Sequence, residues 1–188
     1  AYAQANPQFV ADHYAQLAHA DEDGITALNT MLAQDGLLVY VKRGVKVDRT
    51  IQVINILRSD VPLMVNRRVL IVMEEGAEAK LLFCDHAADD REFLATQVIE
   101  AYVGRNASLD LYCMEETHYK NTRVSNVYIE QQADSRVNHN VITLHNGTTR
   151  NRLDVLLKGE GAECWCNGCV IADKAQHIDN NTLIDHQV

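Results

Sequence analysis

Proline is scarce here: only Pro7 and Pro62 occur in 188 residues. That excludes collagen-like, proline-rich and low-complexity disordered chains. Aromatic residues make up 6%, with Trp165 the single tryptophan, a thin supply for the stacking platforms that sugar grooves and single-stranded nucleic acid sites use. No apolar run approaches the roughly 18 residues of a membrane-spanning helix. Lys and Arg number 17 against 26 Asp and Glu, and they form no cluster. The net charge of -9 repels phosphate backbones and anionic lipid alike, so neither nucleic acid nor a membrane is an expected partner.

Catalytic signatures are missing too. There is no G-x-x-x-x-G-K-[ST] loop to cradle a nucleotide and no G-x-G-x-x-G after a strand. There is no G-x-S-x-G elbow to present a nucleophilic serine. Residues 1–9 lack the basic-then-apolar order of a secretory signal. Cysteines number five, an odd count with three close together, where a secreted disulfide framework favours an even one. The chain reads as cytoplasmic with reduced thiols.

What is present falls into two textures. In residues 1–35, Asn6 is placed to cap a helix with Pro7 in its first turn, and Val10, Tyr14 and Leu17 recur on one helical face. Asp23 is placed to cap a second helix striped by Ile25, Leu28 and Leu32, with Gly36 ending it. From residue 36 to 188 short strands take over, at 37–41, 51–57, 69–73, 80–84, 93–103, 107–113, 124–130, 136–144, 153–157 and 162–170. They are rich in Val, Ile, Leu and Tyr and are parted by Gly, Asn and Asp. Ala77, Ala107, Ala133 and Ala162, each in a small-residue turn before a strand, lie 30, 26 and 29 residues apart. A near-constant step of that size is the mark of a solenoid, in which each coil stacks on the last. A β-sandwich also gives many short strands, but the regular step and the scarcity of proline favour a parallel β-helix preceded by two short α-helices.

Residues 29–50, N-T-M-L-A-Q-D-G-L-L-V-Y-V-K-R-G-V-K-V-D-R-T, resemble the entry into the core of the SufB/SufD family, an "N-T-x-x-x-x-D-G" turn followed by a strand and "G-V-x-V-x-x-P-I". Thr50 stands where the family commonly has Pro, and Ile51 follows it. D-N-N-T-L-I-D-H, ending at His186, resembles a later family segment, "T-x-L-x-H", and its form is nearer to SufD than to SufB. The resemblance implies a right-handed parallel β-helix. It implies a non-catalytic scaffold for iron–sulfur cluster assembly, paired with a homologous SufB-like subunit and with the SufC ATPase. In the family, the ATPase-binding segment and the cysteine and histidine tied to cluster assembly come later than Val188. The resemblance thus carries no catalytic, cofactor-binding or metal residue onto this chain, and any iron–sulfur cluster belongs to the full complex. The chain is read as an N-terminal and central piece of a longer protein. Cut at Val188, its last coil is expected to expose strand edges and to self-associate.

Cys164, Cys166 and Cys169, in C-W-C-N-G-C, form the sharpest local cluster. Thiolates bind zinc and iron, and Cys164 and Cys166 share a strand face, with Gly168 placed to turn Cys169 towards them. A fourth ligand has to come from elsewhere, for example His177 or Cys113. The favoured reading is that these are small apolar residues of an inward ladder, with no metal. His177, Asp179, Asp185 and His186 mix metal-binding and proton-shuttling types, but Asn180 and Asn181 between them point to a turn. Glu115-Glu116-Thr117-His118 lacks the H-E-x-x-H order and reads as a polar loop. Val137, His139 and Val141 share one strand face while Asn138, Asn140 and Ile142 share the other, where asparagines can form a hydrogen-bonded ladder; His145 lies at the far end of that strand region. A polysaccharide-active β-helix needs paired carboxylates on a groove, and the adjacent pairs Asp89-Asp90 and Glu115-Glu116 would point to opposite faces of a strand.

Overall fold

The computed structural model describes residues 2–34 and 36–188. Among them, three short helical segments, α1 (Tyr2–Ala5), α2 (Pro7–His13) and α3 (Gly24–Leu32), precede eleven strands. The strands are β1 (Gly36–Val41), β2 (Ile51–Leu57), β3 (Leu63–Met73), β4 (Glu78–Ala87), β5 (Phe93–Val103) and β6 (Ser108–Glu116). They continue as β7 (Thr122–Gln131), β8 (Arg136–His145), β9 (Thr148–Leu157), β10 (Glu163–Val170) and β11 (His177–His186). Odd strands make one all-parallel sheet, in the order β1-β3-β5-β7-β9-β11, and even strands make the other, β10-β8-β6-β4-β2. The chain thus alternates between two facing sheets and climbs one strand per pass, the expected parallel β-solenoid.

The coils repeat because their corners do. Gly44, Gly76, Asn106, Asp134 and Gly161 occupy one corner of successive coils, and all have positive φ, between 55° and 72°. Asn and Asp tolerate this left-handed conformation better than other side-chain-bearing residues. In four of the corners the left-handed residue donates its N–H to the next coil: Gly44 to Glu75 O, Gly76 to Arg105 O, Asn106 to Ala133 O and Asp134 to Glu160 O, at 2.8–3.0 Å. The strand register then stacks Ala77, Ala107, Ser135 and Ala162, steps of 30, 28 and 27 residues. Ala133 sits two residues before that ladder, so the sequence alignment on alanine slipped where Ser135 replaces it. These small residues, buried at Ala77, Ala107 and Ser135 and half-buried at Ala162, let a tight turn pass close to its neighbour.

Inward columns build the core. Ala79, Leu109, Val137 and Cys164 stack on one another, as do Leu81, Leu111, His139 and Cys166. Ile71, Ala101, Ile129, Val155 and Ile184 face them from the other sheet. Apolar side chains fill the first coils, and thiols, imidazole and amides replace them in the last two.

The helical segment covers the outer face of the odd-strand sheet, but through polar groups. Asp23 caps α3, accepting from Thr26 N at 2.7 Å. The α3 residues that are buried are Thr26 and Asn29, whereas Ile25 and Leu28 are half-buried and Leu32 is exposed. Asn29 Nδ2 donates to Thr96 Oγ1 at 2.8 Å, and Thr26 Oγ1 meets Tyr128 Oη at 3.0 Å. The Val10–Tyr14–Leu17 face is also cut short: α2 ends at His13, Tyr14 is extended and Ala15 turns left-handed at φ 59°. That turn aims the N–H groups of Ala15, Leu17 and Ala18 at the buried Glu100 carboxylate, 2.9–3.1 Å away, which Arg68 also holds at 2.7 Å. Asn6 precedes α2 without a side-chain cap, and Gly36 opens β1 instead of closing a helix. Asp35, in the D-G turn, lies outside the described residues.

Candidate functional site

Along one side of the interior, from β3 to β9, charged and amide side chains replace apolar ones. Asp85 on β4 and Glu115 on β6 sit at one register position of the even sheet, and Arg67 on β3 and Arg123 on β7 reach them from the odd sheet. Arg67 Nη2 donates to Asp85 Oδ2 at 2.7 Å and Arg123 Nε to the same oxygen at 2.8 Å. Arg123 Nη1 also donates to Glu115 Oε1, and to Asn151 Oδ1 at 2.9 Å. Thr143 Oγ1 and Asn146 Nδ2 donate to the other Glu115 oxygen, at 2.8 and 3.3 Å. Burial alone would raise the Asp85 carboxyl, but Arg67 and Arg123 outweigh it and hold it well below the usual carboxylate range. Two cations and two anions cancel, so the network presents fixed dipoles with no net charge.

Beside it lies a cavity of about 150 Å³, lined by Cys113, Glu115, Ser125, His139, Asn151, Cys166 and Asn180 among others. Two of its groups, Cys113 and His139, are held neutral by burial. Burial pushes the Cys113 thiol up to about 12 and the His139 imidazole down to about 4. His139 is 3% exposed and its Nε2 has no hydrogen-bond partner. The register places His139 directly beside Cys166, whose neighbour Cys164 lies with Sγ 3.6 Å from Cys166 Sγ.

Cys164 and Cys166 do share an inward face. Cys169 does not turn back: β10 runs unbroken to Val170, and alternation puts Cys169 on the outer face opposite Ile142. All five cysteines are free. Among the described residues no group of three or more His, Cys, Asp or Glu is arranged to hold a metal ion.

The other candidates are dispersed. His177 and His186 stand at opposite ends of β11, and Asn180 and Asn181 lie mid-strand where the sequence suggested a turn. Asn180 instead accepts from Asn151 at 3.0 Å, extending an amide ladder. Asp179 pairs with Arg150 at 3.6 Å, and Asp185 accepts from Gln187 at 2.8 Å. Glu115 and Glu116 belong to β6, not to a loop, and only Thr117 and His118 follow the strand. Glu116 faces out beside His86 and His145. Asp89 accepts from the Ser59 and Arg91 N–H groups, and Asp90 pairs with Lys120. Neither carboxylate pair lines a groove as a general acid with its base. The asparagine ladder on the outer face is present: Asn167 Nδ2 donates to Asn138 and Asn140 Oδ1, at 3.0 Å each.

Arg67, Asp85 and Arg123 escaped the sequence analysis. The signal that finds them is a carboxylate recurring at one repeat position: Asp85 and Glu115 stack in register, with Thr143 next in the column.

No helix among the described residues is long and apolar enough to cross a membrane. Residues 1–53 match the SufBD protein N-terminal region, and residues 55–188 match the SufBD core domain of SUF-system FeS cluster assembly. The iron-sulfur cluster assembly protein SufB of Bacillus subtilis (strain 168) is 24% identical over 188 residues, 96% of this chain and 39% of that protein. The chain therefore spans about two fifths of that relative's length. With a parallel solenoid of this repeat and a core-domain match over most of its residues, the chain belongs to the SufB/SufD family.

Proposed function

We propose that this chain is a non-catalytic scaffold subunit for iron–sulfur cluster assembly in the cytoplasm, with the cluster as its cargo. Its proposed partners are a homologous SufB-like subunit and the SufC ATPase, the latter contacting a region of the family later than Val188. The match that runs in order through the N-terminal region and the core carries this reading. The fold is compatible with it. Strands β10 and β11 end the two sheets and expose most of their length, so their unpaired backbone edges suit the stacking of a further coil or a homologous solenoid. Within the family we favour the SufD role, on the T-L-I-D-H segment before Gln187; the named relative is a SufB.

Anaerobic co-expression with a SufB-like subunit tests the pairing. A defined complex of the two chains that survives gel filtration is the expected result. Separate elution of the two proteins at concentrations well above micromolar contradicts it.

A further inference from the structure

Glu100 is a buried carboxylate that lies outside the solenoid core. On β5 it falls between the inward residues Ile99 and Ala101, so its side chain points out from the odd sheet, yet it is 0% exposed. What buries it is the segment between α2 and α3. Ala15 N–H donates to one carboxylate oxygen at 2.9 Å, and the Leu17 and Ala18 N–H groups donate to the other at 3.0 and 3.1 Å. The left-handed turn at Ala15, φ 59°, gathers these donors into a concave nest. Arg68, also on the outer face and buried, donates through Nη2 at 2.7 Å. Residues 14–18 thus wrap an anion, and the anion comes from the chain's own sheet.

Arg68 has little other support. Its Nη1 donates to Thr30 Oγ1 at 2.9 Å, its guanidinium carbon lies 4.8 Å from the centre of the Tyr14 ring, and its Nε has no hydrogen-bond partner. One buried cation is balanced by one buried anion. The cover over them is held by few apolar contacts: α2 buries no side chain, and Ala18 packs with Leu17 against Val98 and Tyr128. The solenoid core lies on the other side of the sheet and does not depend on this cover.

We propose that Glu100 and Arg68 form an electrostatic latch that sets whether residues 2–18 lie closed on the solenoid or swing open as a unit, with the solenoid intact. In the closed state one carboxylate satisfies the three N–H groups and the guanidinium together. Without that negative charge the guanidinium is buried unpaired, a cost it escapes only by reaching water. Arg68 sits on the outer face, so lifting the segment hydrates it without disturbing a strand. Opening also breaks the 2.8 Å bond from Tyr102 Oη to His13 O and uncovers the outer face of β3 and β5.

Hydrogen–deuterium exchange of the whole chain, read on peptides covering residues 9–20 and on peptides from β7 and β9, tests the latch. The amides of residues 15, 17 and 18 are expected to be protected in the wild type. Glu100→Gln keeps the shape and removes the charge. It is expected to speed exchange in that segment by about tenfold or more while β7 and β9 keep their wild-type rates. Arg68→Met combined with Glu100→Gln removes both charges, and exchange in the segment is expected to fall back towards the wild type. An unprotected wild-type segment, unchanged exchange in Glu100→Gln, a rise in β7 and β9 together with the segment, or a double variant as open as the single one overturns the proposal.

Discussion

His139 makes stability depend on pH in a window set by its own burial. It stacks between Leu111 and Cys166 inside the solenoid, with Cys113 and Glu115 lining the same cavity and Nε2 unpartnered. Burial lowers its pKa from 6.5 to about 4. Between those two values the unfolded chain binds a proton that the folded chain refuses. Stability therefore rises with pH across the window and falls as pH drops from 6.5 to 4. A shift of this size corresponds to about 3 kcal/mol lost on going from pH 7 to pH 4, at 1.36 kcal/mol per pKa unit. For a chain of this length that is roughly 6–12 °C in Tm. His139→Leu removes the titration and fills the column with an apolar side chain. The difference in urea-unfolding free energy between wild type and His139→Leu, measured at several pH values, isolates this group from every other titration. The expected difference shifts by about 3 kcal/mol in favour of the variant from pH 7 to pH 4. A difference that stays flat with pH refutes the claim that the imidazole is buried and neutral.

Three further outcomes follow from other parts of the fold. Arg123→Met leaves Glu115 buried without its cation and is expected to cost about 3–5 kcal/mol in chemical denaturation, while Arg123→Met with Glu115→Gln recovers a good part of it; equal losses for the single and double variants contradict the ion-pair account. Asp23→Ala removes the α3 cap together with the acceptor for Asn126, and is expected to lose about 1–2 kcal/mol with faster amide hydrogen exchange in α3, whereas unchanged exchange there argues that the cap is idle. Gly159→Ala sets a Cβ 2.0 Å from Ala133 N, so it is expected to lower Tm by more than Gly24→Ala, where nothing lies within 4 Å; equal Tm values contradict the close approach of the two corners.

The strands were legible because β-branched runs parted by Gly, Asn and Asp mark them without help from tertiary contacts. The first coil corners were legible for the same reason. Ser135 hid the true repeat because it fills an alanine position with a different letter. Strand β11 was missed because Asn180 and Asn181, ordinary turn residues, are here rungs of an amide ladder that exists only once Asn151 is stacked beneath them. The helical segment misled in the other direction. Its apolar stripes are real, but α3 docks through Thr26 and Asn29 because the face it meets carries Thr96, Asn126 and Tyr128. The buried charges were illegible one residue at a time. Arg67 and Arg123 look like solvent-facing residues of alternating strands until the register brings Asp85 and Glu115 between them. The pairing of Cys164 with Cys166 was readable from their spacing alone, whereas the outward turn of Cys169 depended on β10 staying straight through Gly168.

The scaffold claim is tested most directly by iron and acid-labile sulfide, measured per complex after anaerobic purification with SufB-like and SufC-like partners and with an iron and sulfur supply. The account predicts iron and sulfide in near-equal amounts on the complex, and none retained by this chain purified alone. Iron and sulfide bound to the isolated chain, or a partner complex that acquires neither, would contradict it.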